Sequence, residues 1–244
     1  MILSFNIEYR TNWGEEVRIS GLFPASIPLH TTDGIYWTAE LELEVPQEGM
    51  TINYSYQIEQ NGIVIRKEWD SFSRSIFLSG SSRKIYRIND CWKNIPEQLY
   101  LYSSAFTEAL LAHPEKENIP QRYKKGLVIK AYAPRINKDY CLAICGNQKS
   151  LGHWDPEKAV LMNDTNFPEW QIELDASKLK YPLEYKFILY NKQEKKADCW
   201  EKNPNRYLAD PELKTNETLV ISDRYVYFDI PALSLIHISE PTRH

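Results

Sequence analysis

Apolar and polar residues alternate with a period of two along much of the chain. Leu3, Phe5, Ile7 and Tyr9 alternate with Ser4, Asn6, Glu8 and Arg10, and Trp37, Ala39, Leu41 and Leu43 alternate with Thr38, Glu40 and Glu42. Successive side chains of a strand point to opposite faces, so this pattern predicts half-buried strands. Further strand-like runs cover 52–58, 126–133, 140–145, 170–174, 183–190 and 224–228, separated by clusters of Pro, Gly, Asn and Asp. Short strands at such spacing predict an all-β fold built of antiparallel sandwiches.

The chain also repeats itself. Trp37, Tyr54 and Trp69-Asp70 in the first half match Trp170, Tyr185 and Trp200-Glu201 in the second. The reading is two tandem β-sandwich domains, residues 1–90 and 125–231. Residues 91–124 form a linker, in which Leu99, Tyr102, Phe106 and Leu110 recur at helical spacing, so the linker is expected to be partly helical. Residues 232–244 fit neither repeat and read as a tail foreign to the fold.

Composition narrows the function. The net charge is -4 with acids and bases interspersed, which gives no basic stripe for nucleic acid. No stretch approaches the roughly 20 apolar residues of a membrane span, and the N-terminus does not read as a signal peptide. Four cysteines, Cys91, Cys141, Cys145 and Cys199, suggest no disulfide framework, so a cytoplasmic location is expected.

Catalysis finds little support. The five histidines lack metal-ligand spacing, there is no nucleophile elbow or glycine-rich phosphate loop, and Glu40, Glu42 and Glu44 fall on the solvated face of one strand. The chain is read as non-enzymatic, with no cofactor and no metal. Binding fits better. Trp154 and Trp200 are flanked by polar, turn-forming residues, whereas Trp37 and Trp170 sit in alternating strands and are expected in the core. Aromatic faces with Lys186, Glu201 and Asn205 alongside suit a sugar, whose C–H faces stack and whose hydroxyls need polar partners.

The second repeat resembles the starch-binding modules of carbohydrate-binding module family 20. The resemblance runs through Cys145-Gly146, Leu151-Gly152-His153-Trp154, 159–162, Phe167-Pro168-Glu169-Trp170, 184–187 and Trp200-Glu201 to Asn205-Arg206. It implies an immunoglobulin-like β-sandwich in which Trp154 and Trp200 stack on the glucan. Lys186, Glu201 and Asn205 would add polar contacts, and Arg206 would be structural. The family's second site uses a tyrosine where this sequence has Lys138. In the first repeat Trp13 occupies that aromatic position and Trp69 stands for the first site, while Ser55 replaces the lysine.

Two such modules in tandem resemble the front of the 4-α-glucanotransferases of glycoside hydrolase family 77. That implies binding of starch, glycogen or maltodextrin, and a C-terminal catalytic domain missing from this chain. The competing reading is a protein-interaction or scaffolding module, to which Trp13 and Trp69 are most open. Within the glucan reading, the first repeat either binds through Trp13 or mainly supports its neighbour.

Overall fold

The computed structural model describes residues 1–68, 74–80, 84–94, 117–133, 136, 139–223, 226 and 228. The first repeat contains β1 (Ile2–Glu8), β2 (Glu15–Ser20), β3 (Ile27–Pro28), β4 (Tyr36–Glu42), β5 (Met50–Gln60), β6 (Ile63–Lys67), β7 (Arg74–Leu78) and β8 (Ile85–Cys91). The second contains β9 (Lys125–Tyr132), β10 (Tyr140–Gly146), β11 (Val160–Leu161), β12 (Glu169–Asp175), β13 (Leu183–Asn191), β14 (Lys196–Trp200), β15 (Arg206–Leu208) and β16 (Glu217–Ser222). The fold is all-β, with short 3-10 turns at Lys149–Trp154, Pro156–Lys158 and Ala176–Lys178.

Each repeat has its own outer sheet, β3-β2-β5-β6 with β7 on β5, and β11-β10-β13-β14 with β15 on β13. The inner sheets are fused. A single six-stranded sheet runs β12-β9-β16-β8-β1-β4, a palindrome of equivalent strands about the β8/β16 seam. The outer sheets and the β1/β4 and β9/β12 pairs are antiparallel as expected, but β1/β8, β9/β16 and β8/β16 are parallel. The first two of these join strands at opposite ends of each repeat, through a crossover long enough to allow parallel pairing.

The seam explains how two cores share one sheet. Tyr86 pairs with Thr218 but corresponds in the repeat to Leu219, a slip of one residue. With a period of two, that slip turns equivalent side chains to opposite faces. Leu3, Phe5, Ile7, Tyr86 and Ile88 therefore pack into the first core, and Leu127, Ile129 and Leu219 into the second, on the other side of the sheet. Val128 and Val220 belong to the second repeat yet pack in the first core. β9 is consequently buried on both faces, and its run Gly126-Leu127-Val128-Ile129 reads as continuously apolar rather than alternating.

The fusion goes beyond two sandwiches on a connecting linker. Lys130 of β9 donates to the Ser75 carbonyl of β7 (2.5 Å) and pairs with Glu169 (2.8 Å). Gln121 accepts from Tyr86 Oη (2.7 Å) and donates to the Phe77 carbonyl (2.8 Å), while the Arg122 and Tyr123 amides donate to Glu173. The expected helix falls within 95–116, outside the described residues, and 117–124 forms neither helix nor strand. The tail 232–244 also lies outside them, as does most of the strand expected at 224–228. The strand found nearby is β16, whose Thr218-Leu219-Val220-Ile221 gives no alternation because both of its faces meet a core.

Candidate functional site

The second outer sheet carries an exposed aromatic pair. β14 pairs with β13 so that Trp200 lies opposite Ile188, and Lys186, two residues along β13, shares that outward face. Beneath them Ala143, Cys145 and Ile188 form a small buried cluster separate from the main core. Trp154 reaches the same spot from the 3-10 turn after β10. The ring centroids of Trp154 and Trp200 are 6.1 Å apart with planes inclined at 45°, and Trp200 remains 36% exposed.

The turn is shaped to present Trp154. Gly152, His153 and Trp154 all have positive φ (77°, 53° and 61°), a run that glycine alone adopts without strain. A Cβ on Gly152 would lie 2.7 Å from the Lys158 carbonyl oxygen, and one on Gly146 2.4 Å from that of Glu184. The loop is tied by the His153 amide to the Gln148 carbonyl (2.8 Å), the Asp155 amide to the Gly152 carbonyl (3.0 Å) and the Asp155–Lys158 ion pair.

Glu201 plays a different part from the one its neighbour suggests. It is only 2% exposed. Oε1 accepts from the Phe187 amide (2.7 Å) and from Arg206 Nη1, and Oε2 accepts from Asn203 Nδ2 (3.1 Å). With both oxygens turned inward, Glu201 is removed from the polar rim of the pair. Alternation along β14 aims Trp200 outward, so the following residue points into the sandwich. Arg206 also pairs with Asp223 (3.1 Å), which accepts from Tyr185 Oη (2.7 Å). Burial pushes the Glu201 and Asp223 carboxyls above the usual range, although Arg206 draws both down. Burial disfavours the Arg206 charge, but Asp223 and Glu201 outweigh it and hold its pKa up.

The first repeat contains the same network. Arg74 pairs with Glu68 (2.6 Å) and Asp90 (3.0 Å), and Asp90 accepts from Tyr54 Oη (2.8 Å). Glu68 receives the Tyr56 amide (3.0 Å), as Glu201 receives that of Phe187. This correspondence resets the alignment of the repeats. Lys67 lies opposite Gln57 just as Trp200 lies opposite Ile188, so the counterpart of Trp200 is Lys67 and not Trp69. The equal spacing from Tyr54 to Trp69 and from Tyr185 to Trp200 is offset by a different order, Glu-Trp in one copy and Trp-Glu in the other. Trp69 itself lies outside the described residues. After Gly21 only residues 22–26, mostly bends, lead to β3, so no equivalent of the 3-10 turn that carries Trp154 exists there.

Trp13 stands in the β1–β2 connection, 98% exposed and remote in sequence from the pair. Its counterpart, Lys138, is not among the described residues. Asn205 is exposed on the loop between β14 and β15. Trp37 and Trp170 are buried as expected, their indole N–H groups donating to the equivalent Tyr9 (3.1 Å) and Ala133 (3.2 Å) carbonyls.

Comparison with known proteins bears on the second repeat. Residues 128–220 match the family model described as Starch binding domain. The chain is 23% identical over 249 residues to the 4-alpha-glucanotransferase DPE2 of Oryza sativa subsp. japonica, covering 91% of this chain and 25% of that protein. It is 30% identical over 66 residues to Glucoamylase-1 of Schizophyllum commune, covering 27% of this chain and 11% of that one. The chain thus spans a quarter or less of the length of these relatives. The family 20 module of the maltotetraose-forming amylase from Pseudomonas saccharophila STB07 aligns at 19% identity and a TM-score of 0.33, covering 40% of this chain and 99% of that one. The second repeat carries the match to the starch-binding modules of carbohydrate-binding module family 20, and most of the chain is similar to a quarter of a 4-alpha-glucanotransferase.

Proposed function

We propose that the chain binds α-1,4-linked glucans without catalysis, and that in a longer protein it holds a 4-α-glucanotransferase on its glucan in a reducing, cytoplasmic setting. The observation that carries the reading is the Trp154–Trp200 pair, two partly exposed rings inclined at 45°. A flat pair would suit a straight chain of sugars. Two inclined faces suit consecutive rings of an α-1,4-glucan, whose linkage curves the chain. Lys186 on the outward face of β13 and Asn205 on the neighbouring loop supply donors for hydroxyls at the edge. Two stacked rings on an open surface predict weak binding, on the order of 10 µM to 1 mM.

Calorimetric titration with β-cyclodextrin or maltoheptaose tests this. Wild type should bind with 1:1 or higher stoichiometry, and Trp200→Ala should lose that binding while its circular dichroism is unchanged. Full binding by a folded Trp200→Ala chain sinks the platform.

A second reading is favoured by Trp13 and by β6. All five residues of β6 are exposed, including Ile63 at 67%, on a strand that among the described residues pairs only with β5. An open apolar edge of this kind suits a protein partner, such as the rest of a longer chain. Loss of association with such a domain in Ile63→Lys, with glucan binding retained, supports it.

A further inference from the structure

At the ends of β1, β8, β16 and β9 the two repeats enclose a crevice of about 950 Å³. We propose that this crevice is a second glucan-binding site, which takes the continuation of a chain seated on Trp154 and Trp200; it rests on the platform reading above.

Its first-repeat wall is aromatic. Tyr9 and Trp92 lie with ring centroids 4.4 Å apart and planes at 41°, and Tyr36 stands at the rim, 54% exposed. Tyr9 is fixed from two sides. Its hydroxyl accepts from Arg66 (2.5 Å), and its carbonyl accepts the Trp37 indole N–H. The second repeat adds Asn205 and Asn203 to the lining, the Asn203 amide nitrogen already donating to Glu201 Oε2. Aromatic faces together with amides are the chemistry that hydroxylated rings require.

The charges of the lining are mixed. Arg10 and Lys93 stand with Glu8, and three further cations are held in ion pairs, Arg74 with Glu68 and Asp90, Lys130 with Glu169, and Arg206 with Glu201 and Asp223. Ion pairs of this kind offer hydrogen bonds without a net field. The volume lies at the upper end of the range for small-molecule pockets, which suits several linked rings.

Continuity identifies the occupant as the same glucan. Asn203 follows Trp200 by three residues, so their Cα atoms are at most about 11 Å apart. One short loop therefore has its start on the platform and its end in the crevice. The first repeat, which lacks counterparts of Trp154 and Trp200, contributes through Tyr9, Trp92 and Tyr36.

The test compares maltotriose, which fills the platform alone, with maltodextrin of about ten residues. Calorimetry would be run on the full chain and on Trp200→Ala, Trp92→Leu and Tyr36→Ala, with circular dichroism on each. We expect Trp92→Leu to leave maltotriose affinity unchanged and to weaken the long maltodextrin about tenfold, as the linked second contact is lost. Tyr36→Ala, at an exposed position where folding is not at stake, should weaken it in the same direction. Long-chain affinity within twofold of wild type in both variants overturns the crevice and leaves the platform standing. Loss of long-chain binding in Trp92→Leu, with Trp200→Ala unaffected, overturns the platform and with it the continuous path, because the crevice would then bind glucan on its own. No binding of either sugar by wild type overturns both.

Discussion

Trp200 and Glu201 are adjacent in sequence and have opposite fates, because a strand turns one outward and the next inward. That difference predicts two kinds of mutant. Trp200→Ala removes a ring from the surface and should abolish glucan binding with little change in unfolding free energy. Glu201→Ala leaves the buried Arg206 guanidinium short of a partner, and breaking a buried pair in this way costs about 3–5 kcal/mol, which urea unfolding will measure. The same network gives a pH dependence. Burial raises the Glu201 and Asp223 carboxyls in the folded chain above their unfolded values. The folded state then holds these protons more tightly, so their contribution is full below the unfolded pKa and is lost as pH rises through the folded one. Half-buried Asp155 and Asp175, whose pKa values are lowered by hydrogen bonds from Lys158 and Ser177, act in the opposite sense. The quantity to compare is therefore the difference between proteins. Asp223→Asn should remove a component that declines with rising pH just above the ordinary carboxylate range, and an unchanged difference across that window rules it out.

At the scale of elements, the turn from Lys149 to Trp154 decides whether the platform exists. Gly152→Ala places a Cβ 2.7 Å from the Lys158 carbonyl oxygen on a backbone with φ of 77°. The strain, about 1–3 kcal/mol, is best relieved by moving the turn and Trp154 with it. Calorimetry should show a clear loss of glucan affinity in a variant whose sandwich still melts cooperatively. Such features show what was legible in the sequence. Alternation identified β1, β4 and the middle of β5, and polar flanks separated Trp154 and Trp200 from the core residues Trp37 and Trp170. The inward turn of Glu201 was hidden because motif resemblance assigns adjacent residues to one site, whereas the pleat separates them. The identity of spacing that equated Trp69 with Trp200 failed because a loop of different length and a reversed residue pair preserved the interval. Only the shared Tyr–Asp–Arg–Glu network reveals Lys67 as the counterpart. The crevice could not be read at all, since Tyr9, Trp92 and Asn203 meet only through the pairing of β8 with β16.

For the whole molecule, that pairing converts two repeats into one body. Each inner sheet would end in a parallel edge strand, β8 or β16, whose backbone groups are satisfied by the other copy. Val128 and Val220 are buried in the partner repeat's core, Lys130 donates to Ser75, and Arg87 donates to the Pro211 carbonyl (2.5 Å). Repeats linked only by a flexible chain would melt separately. Here the full chain should unfold in a single urea transition, with near-ultraviolet signals from the tryptophans and the far-ultraviolet signal coincident. The isolated second repeat, 125–231, exposes two valines worth about 1.5–3 kcal/mol each, together with the open edge of β16. It should be less stable than the full chain by at least about 3 kcal/mol, or should self-associate through that edge. Two resolved transitions in the full chain, or an isolated second repeat of equal stability that remains monomeric, would show that the seam contributes nothing to cooperativity. In that case the crevice between the repeats would also lose the fixed geometry on which a continuous glucan path depends.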